Sequence, residues 1–87
     1  MAMAETKVGV VFQFFAKPSV AAVRMTDGTL KVGDRVHILG NTTDFTQTVD
    51  SIQVDRNPIQ EANAGSQVGI RVKDRVRPND TVYKVTE

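Results

Sequence analysis

The stretch Asp27–Ile38 (Asp-Gly-Thr-Leu-Lys-Val-Gly-Asp-Arg-Val-His-Ile) constrains the fold of this 87-residue chain more than any other. It holds two turn signals, Asp27-Gly28 and Gly33-Asp34, and passes at once into Arg35–Leu39, a strand-like run. Glycine takes positive φ without the strain that a Cβ brings, so an Asp-Gly pair reverses the chain tightly. Asp34 can also hydrogen-bond the backbone of its own turn. Such a segment folds back and feeds a sheet, and the rest of the chain must supply strands to pair with it.

Those strands are legible. Lys7–Phe15 is dense in valine and phenylalanine and too short for an ordinary helix, which reads as a first strand. Alternation puts Val8, Val10, Phe12 and Phe14 on one face and Gly9, Val11, Gln13 and Phe15 on the other. Both faces are then apolar, which leaves two readings: a strand covered on both sides, or an external patch at Val11 and Phe15 that meets a partner. Pro18 breaks the run, because proline lacks the ladder donor. Val20–Met25 reads as a second strand, with Ala21, Val23 and Met25 inward. Phe45–Asp55 is the longest candidate, and its alternation changes phase between Val49 and Ile52, which predicts a β-bulge near Asp50-Ser51. Arg56–Gly65 reads as a connection with Ile59 and Ala62 tucked against the body. Gln67–Lys73 alternates cleanly, and Thr81–Val85 closes the set. The pattern of six strands predicts an all-β domain, a small barrel. Residues 1–6 are expected to be a disordered end and residues 7–87 a single domain.

An internal echo supports this frame. Leu30-Lys-Val-Gly33-Asp34-Arg-Val36 matches Val76-Arg-Pro-Asn79-Asp80-Thr-Val82 in pattern. Each has an apolar anchor, a Gly or Asn that tolerates left-handed φ, an Asp, and a valine entering a strand. The same tight turn is therefore expected at both places. Gly28, Gly33, Asp34, Gly65, Asn79 and Asp80 are the structural turn residues.

Composition narrows the function classes. A formal net charge of +1 leaves any nucleic-acid contact to an uneven distribution of charge. The absence of cysteine excludes disulfides, thiolate metal sites and thiol nucleophiles. No run approaches the roughly 20 apolar residues of a membrane helix, and no signal-peptide pattern leads the chain. A cytoplasmic protein without membrane contact is expected. There is no phosphate-binding loop and no metal-ligand spacing. The single histidine, His37, alternates with Val36 and Ile38 and is expected to point outward, solvated or hydrogen-bonded. No catalytic residue, metal or cofactor is expected, and the chain reads as a non-enzyme.

The one uneven charge feature is Arg71-Val-Lys73-Asp-Arg75-Val-Arg77. On a continuous strand, alternate residues sit ~6–7 Å apart, a spacing at which four bases could follow a phosphate backbone. The other reading is a solvated edge on which the bases discourage aggregation.

The chain resembles domain two of the translational GTPases, the β-barrel of elongation factor Tu, elongation factor G and bacterial initiation factor two. The resemblance rests on Leu30–Val36, Val49–Gln53, Glu61-Ala-Asn-Ala-Gly65-Ser-Gln-Val68-Gly69-Ile70 and Arg77-Pro-Asn79-Asp80-Thr-Val82. A similar barrel is an accessory domain of U32-family peptidases, some of which act in RNA modification. The resemblance implies a six-stranded barrel, closed or nearly closed; none of the family's contact residues is carried over. Taken with the basic run, it leads to the expectation of a non-enzymatic binding module tied to translation or RNA metabolism, with RNA or the ribosome as partner through Arg71, Lys73, Arg75 and Arg77. The alternative is a protein-interaction module docking on a separate GTPase or peptidase-like partner through Val11 and Phe15.

Overall fold

The first strand is bent by two β-bulges, and they decide which residues reach the core. The computed structural model describes residues 4–86, and β1 spans Ala4–Phe15. It pairs with β10 (Thr81–Thr86) on one side and β2 (Val20–Met25) on the other. Against β10 the register slips between Lys7 and Gly9, and against β2 between Val11 and Gln13. Each slip inserts one unpaired residue, Val8 and then Phe12, and resets the alternation. Val8, Gly9 and Val11 all turn inward, Phe14 packs against the core, and Phe12, Gln13 and Phe15 turn out. The simple two-face reading of this strand is thereby corrected. Ala4–Thr6, expected in a disordered end, are paired with Thr86, Val85 and Lys84; residues 1–3 of that expectation lie outside the described residues.

The remaining strands are β3 (Thr29–Lys31), β4 (Arg35–Leu39), β5 (Asp44–Thr48), β6 (Ile52–Val54), β7 (Asn57–Ile59), β8 (Glu61–Asn63) and β9 (Gln67–Arg71). Eight of the strands form one antiparallel sheet in the order β5-β4-β10-β1-β2-β9-β6-β7, and β3 pairs with β8 as a separate ribbon. The all-β class is as expected, but the count of six strands and the closed barrel are not. The sheet has two free ends, and no ladder joins β5 to β7 among the described residues. Side-chain and loop bonds span part of the opening instead. Gln47 donates from Nε2 to the Arg71 carbonyl and accepts the Lys73 N–H at Oε1, both at 2.8 Å, much as a neighbouring strand would.

Phe45–Asp55 is two strands and not one bulged strand. The chain leaves β5 at Val49, which is fully buried and exchanges bonds with the opening turn: Gly33 N–H to Val49 O and Val49 N–H to Asp34 O, each 2.8 Å. The stretch read as a connection holds β7 and β8, with Ala62 buried and Ile59 against the core. A two-residue hairpin at Asp55-Arg56 joins β6 to β7. The core itself is one cluster of aliphatic side chains, including Val8, Val11, Met25, Leu30, Val36, Ile38, Ile52, Ile70 and Val82.

The internal echo holds as geometry. Asp34 N–H bonds Lys31 O at 3.0 Å while its Oδ2 accepts the Lys31 N–H at 2.8 Å. Asp80 repeats this with Arg77, at 3.1 and 2.8 Å. Gly33 and Asn79 occupy the third turn position with φ of 100° and 78°. Positive φ there, with Pro78 before Asn79, is the pattern of a type II turn. No helix of the described residues is long and apolar enough to cross a membrane.

Candidate docking face

The outward half of β1 meets β2, β9 and β6 on one surface. Cross-strand partners share a face, so the register places Gln13, Ala22, Gly69 and Gln53 in one row and Phe15, Val20 and Arg71 in the next. Phe12 is the extra residue of the second bulge and stands beside them, 39% exposed, with Phe15 at 45%. Between these rings lies a shallow groove with a volume of about 350 Å3, its floor formed by Val20, Ala22, Val68 and Gly69. Gly69 keeps the floor low, since a Cβ there would sit 3.1 Å from Val20 Cγ1.

Charge and strain sit at the rim. The Arg24 guanidinium lies 5.9 Å from the Phe12 ring centroid, within cation–π range. On the far side is the Asp55-Arg56 hairpin, with φ of 51° and 67°. Two successive positive φ values are the demand of a type I′ turn, usually met by Asn-Gly, and here neither residue is glycine. Backbone held this way costs of order 1 kcal/mol or more per residue and concentrates at working surfaces.

Of the two residues read from the sequence as an external patch on β1, the structure exposes one and buries the other. Val11 is fully buried and cannot meet a partner, because the bulges turn it inward. Phe15 is exposed as required, and Phe12, assigned to the opposite face, joins it. The available signal was the pair of inward valines at Val8 and Val11, whose odd spacing no unbulged strand can bury on one side.

The basic run does not form a strand-spaced row. β9 ends at Arg71, and the chain bends at Lys73-Asp74. Val72 and Val76 anchor the bend in the core while Arg71, Lys73, Arg75 and Arg77 are exposed around it. Lys73 lies 5.9 Å from the Phe45 ring centroid, and its backbone N–H is held by Gln47. Elsewhere, His37 points outward as expected, with partners the sequence did not reveal: Nδ1 is 2.9 Å from Glu5 Oε1 and Nε2 is 2.6 Å from Asp44 Oδ1. These carboxylates raise its pKa, Glu5 more than Asp44. No cluster able to hold a metal ion occurs among the described residues.

The model of elongation factor Tu domain 2 matches residues 19–79. A collagenase of Porphyromonas gingivalis is 33% identical over 81 residues, which are 92% of this chain and 22% of that protein. An uncharacterized protease of Methanocaldococcus jannaschii is 34% identical over 82 residues, 93% of this chain and 20% of that one. The chain thus spans about a fifth of the length of the curated relatives it matches. The C-terminal domain of a Geobacillus thermoleovorans protein assigned to the U32 peptidases has the same fold, with a TM-score of 0.83. That match is 24% identical and covers 92% of this chain and 91% of the domain. These relatives overturn the expectation of a translation or RNA-binding module acting through the basic run: the full-length proteins that share this sequence are named as proteases.

Proposed function

This chain belongs to the elongation factor Tu domain 2 family, and on that premise we propose that it is a non-catalytic docking domain for a peptidase-like body. The observation that carries the reading is the pair of bulge-presented rings, Phe12 and Phe15, over a groove with an apolar floor and a polar rim of Gln13, Gln53, Asp55 and Arg56. Two exposed phenylalanines on a sheet face lose little entropy when covered, and aromatic anchors in such a setting supply most of the energy of an interface. The peptidase relatives support the nature of the partner. In each of them the matching segment is a fifth of a larger protein, so a domain of this kind sits beside a body about four times its size. A peptidase-like body is therefore favoured over a GTPase.

The test is a binding titration between this chain and a U32-type peptidase that lacks its own matching domain, followed by calorimetry. Saturable one-to-one binding is expected. Phe12→Ser and Phe15→Ser should each weaken it by roughly thirtyfold, as for a hot spot of about 2 kcal/mol, while circular dichroism stays unchanged. Equal affinity in the folded double variant would refute the assignment of this face.

A further inference from the structure

His37 stands between two acidic groups from different strands. Glu5 comes from β1 and reaches across β10, and Asp44 comes from the start of β5. The Glu5 carboxylate takes Nδ1 with both oxygens, at 2.9 and 3.1 Å, and Asp44 takes Nε2 at 2.6 Å. Carboxylates only accept hydrogen bonds when ionised, and a neutral imidazole has one N–H. Both bonds can therefore be made at once only by the imidazolium. When the ring loses a proton, one carboxylate faces a lone pair.

We propose that Glu5, His37 and Asp44 form a proton-dependent clasp that holds the leading segment of β1, Ala4–Lys7, and the start of β5 onto β4. The clasp is closed while His37 carries two protons and half-released when it carries one. Topology makes the position consequential. β1 and β4 do not pair with each other; β10 lies between them, so the Glu5–His37 contact ties strands that no ladder joins. Ala4–Lys7 lie beyond the first bulge and pair with β10 alone, since the β1–β2 ladder begins at Gly9. This is the part of β1 with least backbone support.

The other groups around the ring do not duplicate the clasp. Tyr83 of β10 is the cross-strand partner of His37, its ring centroid 6.2 Å away, and it is paired in turn with Lys7 of β1. Arg35, two residues along β4, shares the face and stands in the Val85–Glu5 row. Thr46 of β5 lies opposite His37 and carries no charge. Burial of the ring disfavours the imidazolium, and the two carboxylates outweigh it; Lys7 and Arg35 bring only like charge to this face. The clasp sits on the half of β1 that precedes the docking rings and does not rest on the docking proposal.

His37 is the only histidine in the chain, so its imidazole can be followed by nuclear magnetic resonance without ambiguity. The ring should show the ¹⁵N shifts of a doubly protonated imidazole at low pH and a titration midpoint above the ordinary histidine value. Glu5→Gln and Asp44→Asn should each lower that midpoint, and the double variant should lower it further. Across the same pH range, exchange of the amides of Ala4–Lys7 that bond to β10, corrected for its intrinsic pH dependence, should rise about fivefold in the wild type and stay level in His37→Gln. An ordinary midpoint would overturn the proposal, as would one unmoved by both single variants. So would exchange in Ala4–Lys7 that ignores the titration. Each variant removes a surface group, and intact core amide protection would show that it folds.

Discussion

The turn that launches β10 should be the most sensitive polar point in the fold, and it can be probed from two sides. Asp80 is 4% exposed, and its Oδ2 holds the Arg77 N–H at 2.8 Å. Removing the carboxylate in Asp80→Ala leaves that N–H without its acceptor. Loss of a hydrogen bond to a charged group, with a part-buried donor stranded, costs about 2 kcal/mol. In a domain of this size that is roughly 8–16 °C in Tm. Gly40 tests the same contact from across the loop. A Cβ on Gly40 would fall onto the Asp80 carboxylate, with Cγ only 2.6 Å away. The carboxylate has to swing aside, and in doing so it gives up Arg77. Gly40→Ala should thus cost about as much as Asp80→Ala, again near 2 kcal/mol.

The two effects are one effect, so they should not add. With the carboxylate gone, the nearest remaining atom of residue 80 to a Gly40 Cβ is its own Cβ at 3.4 Å, an ordinary contact. The double variant should therefore lose about 2 kcal/mol and not 4, a coupling of about 2 kcal/mol in a double-mutant cycle. Urea unfolding measures it, provided the m-values of the four proteins agree. If the single losses add within about 0.5 kcal/mol, Gly40 and Asp80 are independent and the close-approach argument is wrong. Asp34→Ala is the internal control. It breaks the equivalent bond to the Lys31 N–H and also the 3.3 Å ion pair of Oδ2 with Lys84 Nζ, but the Asp34 side chain is 24% exposed, so water can replace both and the loss should be nearer 1 kcal/mol.

Four further outcomes are expected. Arg56→Gly relieves a non-glycine residue at φ 67° and should raise stability by about 1 kcal/mol in the same urea assay; a loss would show that the hairpin is not strained there. Asn79→Gly should be neutral or stabilising at φ 78°. Gly33→Val should cost ~1–3 kcal/mol from backbone alone, because a Cβ at Gly33 meets nothing within 4 Å. Finally, Glu5 first and Asp44 second favour protonated His37 in the folded state. A raised folded pKa stabilises fully below the unfolded value near 6.5, and the contribution is lost as pH rises through the folded value. Urea midpoints should fall across that window in the wild type and not in His37→Gln; a flat wild-type profile would count against it.

What was legible in the sequence was whatever is encoded by neighbours in the chain. The Gly33-Asp34 and Asn79-Asp80 turns could be read because φ preference and an Asp acceptor act within four residues, and both turned out as one geometry. The inward set Val68, Ile70 and Val72 was legible for the same reason. What stayed hidden are contacts between distant segments. Glu5 lies 32 residues from His37, and nothing near either residue announces the other. The open sheet was hidden likewise. Whether β5 gains a second neighbour besides β4 depends on where Val49 goes, and Val49 is bonded to the Gly33–Asp34 backbone.

The first strand shows how such an error reaches function. Alternation is a rule about unbroken ladders, and one inserted residue inverts every assignment after it. Val11 and Phe15, an even number of residues apart, belong on one face only if no residue is inserted between them; the slip before Gln13 separates them. The slip also turns an excess of apolar residues into a sorted set. Val8, Val11 and Phe14 go to the core, while Phe12 and Phe15 go to the surface beside Ala22 and Gly69. Two large rings exposed in a chain with only four phenylalanines are a substantial loss of core material for a domain this small. A strand that served the core alone would carry small polar residues at Phe12 and Phe15. The bulge therefore decides which rings reach the surface, and it brings Phe12 and Phe15 together on one face.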